Sequence, residues 1–386
     1  MESNFNIYND DCLDRLNKIK VDSIDCIVTD PPYELNFMSK GWDNAGVSFN
    51  KTTWQKCLNV LKPGGYLLAF GGTRTYHRIA CAIEDAGFDI RDCIMWLYGS
   101  GFPKSMNIGL AVDKKLGNES KVVGEGRSGG TSRAYQSLET TTAGAYQLKE
   151  AQNEWKGWGT ALKPSYEPII VARKPFKGSL VDNVMKYKVG GLNIDECRVG
   201  DEELHNSYAG NKESGFTSAD ERDNKGKGMF SGLKKGETIV KGRFPANILL
   251  DTKEGEEWRR YFYCAKASRR DRDEGLEEFM EDTTDDGRNK PIDNPFLRGK
   301  TMRHNTHPTV KPTSLMQYLV RLVVPKGATI LDPFMGSGST GKAVMYENKD
   351  RNANYKFIGI EKDAEYCKIA EARIKYAEGG NDVKSA

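Results

Sequence analysis

The chain has 386 residues, 38% hydrophobic and 29% charged, with a formal net charge of +3. That length holds one large domain or two with an ample core. The near-balance of charge excludes a global electropositive field, so any nucleic-acid surface has to be a local patch. No apolar stretch approaches the about twenty residues of a membrane span, and the polar, acidic opening MESNFNIYNDDCLDRL does not read as a signal peptide.

Phe5–Tyr8 is predicted as a short strand ending near Asp10 and Asp11, and Cys12–Ile19 as a short helix. Ile24–Thr29 is an apolar, β-branched run that drives into Asp30-Pro31-Pro32-Tyr33. Such a run followed by paired prolines predicts a buried strand that stops abruptly. The prolines fix φ and donate no backbone hydrogen bond. One carboxylate, free carbonyl acceptors and one aromatic ring remain at the strand tip. That set suits a flat, amino-bearing base: acceptors for both amine protons and a ring to stack on. The plain alternative is a strand ending in a Pro-rich turn. Thr53–Leu61 is predicted as an amphipathic helix stopped by Lys62-Pro63-Gly64-Gly65. Tyr66–Phe70 is a buried strand, Tyr76–Ala86 a helix closed by Gly87, and Ile90–Tyr98 another strand.

The middle of the chain, 100–300, is rich in Gly, Ser, Asn, Lys and Asp and weakly periodic. Its ordered-looking islands are Ser165–Arg173, Arg243–Leu250 and Trp258–Lys266; a mobile loop is expected at about 203–238. Arg259, Arg260, Lys266, Arg269, Arg270 and Arg272 cluster around Tyr261, Phe262 and Tyr263. The cluster reads either as a phosphate grip or as a solvated face balanced by Asp271, Asp273 and Glu274.

After His307-Pro308-Thr309-Val310-Lys311-Pro312 comes a predicted apolar helix, Ser314–Val323. Ala328–Leu331 then runs as a strand into Asp332-Pro333-Phe334-Met335-Gly336-Ser337-Gly338-Ser339-Thr340, followed by a helix from Gly341. Strand, Gly-rich turn and helix form the nucleotide-cradling unit of α/β proteins. Phe357–Glu361 is a further strand ending in an acid, the usual place to hold ribose hydroxyls. Gly336–Lys342 also fits most of a P-loop. It lacks the Mg²⁺-ligating hydroxyl after the lysine, having Ala343 there, and Asp332 would repel a triphosphate. The eight cysteines are scattered, and with four histidines no zinc spacing occurs, so no metal is expected and the thiols are read as reduced, in a cytoplasmic protein.

Asp30-Pro31-Pro32-Tyr33 resembles the amino-methyltransferase motif of DNA methyltransferases acting on adenine N6 or cytosine N4, and the Phe334-x-Gly336-x-Gly338 loop resembles their S-adenosylmethionine site. The catalytic motif comes first, a variable insert second and the cofactor loop last, an order similar to that of the permuted β class of bacterial and phage enzymes. Asp10-Asp11-Cys12-Leu13, Lys62–Gly65, His307–Pro312, and in the insert Lys163-Pro164 with Glu167-Pro168, Gly242–Asn247 and Ala265–Ser268, are further matches. The resemblance covers about half the chain.

It implies an α/β fold with a doubly wound, mostly parallel, Rossmann-like sheet. Residues 1–99 would form the catalytic half, 100–300 an inserted target-recognition region and 301–386 the cofactor half. It implies a site-specific DNA adenine-N6 methyltransferase, with cytosine N4 as the alternative. Asp30, Pro31, Pro32 and Tyr33 would serve the target base. Asp11, Thr309, Lys311, Asp332, Phe334, Gly336, Ser337, Gly338 and Glu361 would serve the cofactor. Thr309 and Lys311 would take the methionine carboxylate, Asp332 its ammonium, Glu361 the ribose and Asp11 the adenine amine. Duplex DNA is the implied partner; a homodimer is compatible, and a restriction partner is left open. A non-catalytic DNA-binding protein on the same scaffold and a P-loop NTPase are the competing readings.

Overall fold

A computed structural model describes residues 3–35, 46–98, 105–127, 145–206, 238–250, 266–283 and 302–379. The first run holds β1 (Phe5–Asn9), α1 (Cys12–Leu16), β2 (Ile24–Thr29), α2 (Lys51–Val60), β3 (Leu61–Phe70), α3 (Tyr76–Asp85) and β4 (Asp89–Leu97). The middle holds α4 (Ile108–Leu116), the antiparallel pair β5 (Lys121–Arg127) and β6 (Ala145–Glu150), β7 (Tyr166–Arg173) and α5 (Leu180–Tyr187). Next come the pair β8 (Val199–Asn206) and β9 (Thr238–Arg243), β10 (Ile248–Leu250), α6 (Arg269–Asp273), and the short pair β11 (Asp282–Thr283) and β12 (Met302–Arg303). The last run is α7 (Thr313–Val323), β13 (Thr329–Asp332), α8 (Ser339–Arg351), β14 (Lys356–Glu361) and α9 (Ala364–Glu378).

Among the described residues, eight strands form one sheet in the order β1-β14-β13-β2-β3-β7-β4-β10. Only β7 runs antiparallel to its neighbours. Every residue of β2 is buried, as a strand covered on both faces requires. On one face, Leu16, Trp54, Cys57, Ile79 and Ile83 of α1, α2 and α3 pack together. On the other, Leu315, Leu319, Val344, Ala370 and Ile374 of α7, α8 and α9 do the same. The sheet is therefore doubly wound, as expected.

The connection from β13 through α8 leads to β14, whereas that from β2 through α2 leads to β3, on the opposite side. The strand order reverses between β13 and β2. In open α/β sheets this reversal leaves a crevice at the carboxyl ends of the strands, where ligands bind.

Three expectations change. The sheet is not completed by the chain ends alone: β7 and β10 come from 100–300, and β7 lies between β3 and β4. The region read as an insert thus supplies a buried central strand, Pro168–Ala172, and the boundary at residue 100 cuts through the sheet. Lys62–Gly65 does not simply end a helix. β3 runs through it from Leu61, with a register shift against β2, and Gly64 at φ 81° donates its N–H to the Lys174 carbonyl. Of the expected loop at 203–238, Glu203–Asn206 and Thr238 are strand residues, and 207–237 lie outside the described residues.

Candidate functional site

β2 delivers Asp30 to the carboxyl edge, and the prolines turn the chain so that Tyr33 folds back beside it. The Tyr33 hydroxyl donates to Asp30 Oδ1 at 2.9 Å. The Tyr33 carbonyl accepts from Thr75 Oγ1 at 2.8 Å, which pins the turn against the start of α3. Lys311 reaches the same carboxylate from a segment 281 positions away: its Nζ donates to Asp30 Oδ2 at 2.6 Å. A second acid joins them. Glu167 Oε2 lies 3.2 Å from Lys311 Nζ and 3.0 Å from the Tyr33 hydroxyl. Because β7 is antiparallel, its first residues stand at the edge where the parallel strands end, and this brings Glu167 to Asp30.

The cluster is largely buried. Burial raises the Asp30 pKa, Lys311 opposes the rise, and Glu167 adds to it; the net direction is up. Burial lowers Lys311, but Asp30 and Glu167 outweigh it, so the ammonium stays charged.

On the neighbouring strand, Asp332 is 2% exposed. Its Oδ1 accepts from Thr29 Oγ1 at 2.6 Å and from the Phe334 amide at 3.1 Å; its Oδ2 accepts from Thr340 Oγ1 at 2.6 Å. Burial nevertheless pushes its pKa up to about 6. Gly336 and Gly338 sit at φ 52° and 78°. A Cβ at Gly336 would lie 2.9 Å from His307 Nε2, and one at Gly338 2.9 Å from Ala370 Cβ, so side chains are excluded at both. The loop rests on Glu361, whose Oε2 accepts the Gly336 N–H at 2.9 Å and whose Oε1 accepts that of Asp363 at 2.8 Å. Asp11 on the adjacent strand tip caps α1, accepting from the Leu13 amide at 2.9 Å. His307 is half-buried, and the loss of solvent around its ring holds it neutral, its pKa lowered to about 3.

The residues singled out in the sequence therefore gather at one edge, in two groups. Asp30, Pro31, Pro32 and Tyr33 form the first, and Lys311 belongs with them, on the two carboxylates. Asp332, Phe334, Gly336, Ser337, Gly338, Glu361 and Asp11 form the second. Ser337 is buried, with Oγ bound to Asn305 and Arg373, and Thr309 is exposed. Glu167, Thr29 and Thr340 had no assigned role. Glu167-Pro168 was legible as a motif, but nothing local tied it to Asp30.

The lysine of the P-loop look-alike faces away from the glycine loop. Lys342 is fully buried, its ammonium bound to the Asp271 carbonyl at 2.9 Å, Asp271 Oδ1 at 3.1 Å and Glu274 Oε2 at 2.8 Å. It holds α6 against α8 and is not available to a phosphate. Of the basic cluster, Arg259 and Arg260 lie outside the described residues. Arg272 points inward, donating to the His307 carbonyl at 2.8 Å. Arg269 is exposed and pairs with Glu281 at 3.0 Å. Arg270 is exposed, and Lys266 lies 3.5 Å from the centre of the Tyr98 ring.

Such a fold and site define a class: an α/β protein with a glycine-loop cradle and a carboxylate-bearing Pro-Pro turn on adjacent strand tips. The chain matches the N6_N4_Mtase family, DNA methylase, over residues 24–372, and belongs to it. It is 23% identical over 231 residues to the type II methyltransferase M.HindIII of Haemophilus influenzae, covering 48% of this chain and 64% of that one. It is 34% identical over 85 residues to the DNA adenine methyltransferase YhdJ of Escherichia coli, covering 22% and 27%. The chain thus spans less than two thirds of the length of these curated relatives. Among solved structures, the cytosine-N4-specific PvuII DNA methyltransferase aligns with a TM-score of 0.46 at 13% identity, covering 97% of this chain and 87% of that one.

The family depends on S-adenosylmethionine, and the donor set here fits it. Asp11 and Glu361 are acceptors on neighbouring strand tips, suited to an amine and ribose hydroxyls. With Lys342 turned away, the loop has no lysine to hold a triphosphate.

Proposed function

We propose that the chain transfers a methyl group from S-adenosylmethionine to the exocyclic N6 of adenine at specific sites in duplex DNA. The observation that carries this reading is the Thr29–Asp332 hydrogen bond of 2.6 Å. It fastens the strand that ends in Asp30 to the strand that ends in the glycine loop, so methyl acceptor and donor would meet at one crevice. Asp30 at the first motif position favours adenine, since the cytosine-N4 enzymes that the motif resembles more often carry Ser there.

An exocyclic amine is a poor nucleophile because its lone pair is delocalised into the ring. Asp30 and the Pro31 carbonyl accept its two N–H bonds and favour a tetrahedral nitrogen, while Pro32 shapes the turn and the Tyr33 ring stacks on the base. Rate acceleration comes from orientation and preorganised electrostatics. S-Adenosylmethionine, when bound, supplies an electrophilic methyl. The proton released from the alkylated nitrogen passes to Asp30, which burial makes a better acceptor. Glu361 and Asp11 would hold the ribose and adenine, with Phe334, Gly336 and Gly338 as the cradle. Asp332 and Thr309 would serve the methionine end. The target base leaves the duplex to reach the site. Arg259, Arg260, Lys266, Arg269 and Arg270 bind phosphate, so reversing Arg269 and Arg270 to Glu weakens DNA binding on all sequences and flattens its salt dependence.

Long-read sequencing of DNA exposed to the protein and S-adenosylmethionine tests the reading. N6-Methyladenine at a recurrent sequence is the expected product. N4-Methylcytosine would move the specificity to the other base, and unmodified DNA would overturn the activity.

A further inference from the structure

The Tyr33 phenol holds one proton and faces two carboxylates. Its oxygen lies 2.9 Å from Asp30 Oδ1 and 3.0 Å from Glu167 Oε2. It donates to only one of them at a time. The Lys311 ammonium has three protons and reaches both acids at once, Asp30 Oδ2 at 2.6 Å and Glu167 Oε2 at 3.2 Å. When the phenol donates to Asp30, both Asp30 oxygens are engaged, and a target amine has to compete with the phenol for Oδ1. When it donates to Glu167, Oδ1 is relieved of that bond and both of its lone pairs are open to the amine.

We propose that Glu167 is a positioning residue for methyl transfer: it takes the Tyr33 phenol hydrogen bond off Asp30 and shares Lys311, leaving Asp30 Oδ1 to accept from the target amine. This role rests on the methyl-transfer reading above. The exchange needs no large movement. Glu167 is anchored by the pairing of β7 with Trp96 of β4, and the Tyr33 backbone is held by Thr75. Only the phenol hydrogen changes partner. Two carboxylates and one ammonium leave the cluster with one net negative charge, placed where the amine becomes positive as it is alkylated. Burial, together with Glu167, raises Asp30, in keeping with that excess of negative charge.

The test is a double-mutant comparison in the full chain, measuring kcat, the KM for DNA and, by calorimetry, the cofactor Kd. Glu167→Ala is expected to lower kcat about 100-fold, the size of a lost transition-state hydrogen bond, with cofactor Kd unchanged. Glu167→Gln keeps an acceptor for the phenol and stays within about tenfold of wild type. Tyr33→Phe keeps the ring and removes the competitor. Added to Glu167→Ala, it is expected to raise kcat by about fivefold or more, a coupling ordinary for groups in contact. Should Glu167→Ala not fold, Glu167→Met keeps the length without the acceptor and takes its place. A double mutant no faster than the single one, or a Glu167→Met enzyme as fast as wild type, overturns the role. An inactive wild type on every DNA overturns the methyl-transfer reading itself, and this role with it.

Discussion

Thr29 and Asp332 stand 303 positions apart and share a hydrogen bond of 2.6 Å. They sit at the tips of β2 and β13, the two strands between which the sheet order reverses. Thr29 is followed directly by the Pro-Pro turn, and Asp332 by the glycine loop, so one buried contact sets the spacing of both halves of the site.

Asp332 makes that contact pH-sensitive. Its folded pKa is raised from the ordinary 3.8 to about 6, so the folded state favours the neutral acid. The stability this gives is fully present below about pH 4 and is lost as pH rises through about 6. At about 1.4 kcal/mol per unit, wild type should lose about 2 kcal/mol between pH 4 and 7 relative to Asp332→Asn. Urea unfolding of both proteins across that range measures it. Parallel curves would show that Asp332 titrates as an ordinary carboxyl.

Asp30→Ala should abolish methyl transfer and leave cofactor binding largely intact, because Asp30 serves the target side. A loss of about 100-fold or more is expected. Retention of more than about a tenth of wild-type rate in a tritiated-methyl assay would sink the role.

Glu361→Ala should weaken the cofactor more than it slows a saturated reaction. A charge-assisted hydrogen bond to a ribose hydroxyl contributes about 1.5–3 kcal/mol, which is about 10- to 100-fold in Kd. The loss of its support for the Gly336 amide acts in the same direction. An unchanged Kd by calorimetry would remove Glu361 from the cofactor site.

Lys342→Met should destabilise the chain by about 3 kcal/mol, the low end for breaking a buried ion pair, since the half-buried Asp271 and Glu274 lose their shared ammonium but keep Thr313 and Tyr346 as donors. Denaturant unfolding reads the loss. Neither wild type nor variant should bind ATP; ATP binding that vanished with the lysine would restore the P-loop reading.

The sequence by itself determined what depends on neighbouring residues. An apolar run stopped by Pro31 and Pro32 can only end in a turn, and glycines at 336 and 338 are needed where φ is positive. These local rules placed Asp30 and Glu361 at strand tips and put the glycine loop between β13 and α8. What only the tertiary structure decided are partners far apart in the chain. Lys311 lies in the segment His307–Pro312 and was expected at the methionine carboxylate of the cofactor, yet its ammonium pairs with Asp30 and Glu167. Lys342 completes a near-P-loop, yet α8 turns it into the acids of α6. Glu167 lay in a region read as an insert, and it reaches the site because β7 enters the sheet antiparallel. Local periodicity reports which face of an element is buried. It carries no record of strand order, and strand order chose the neighbours of Asp30.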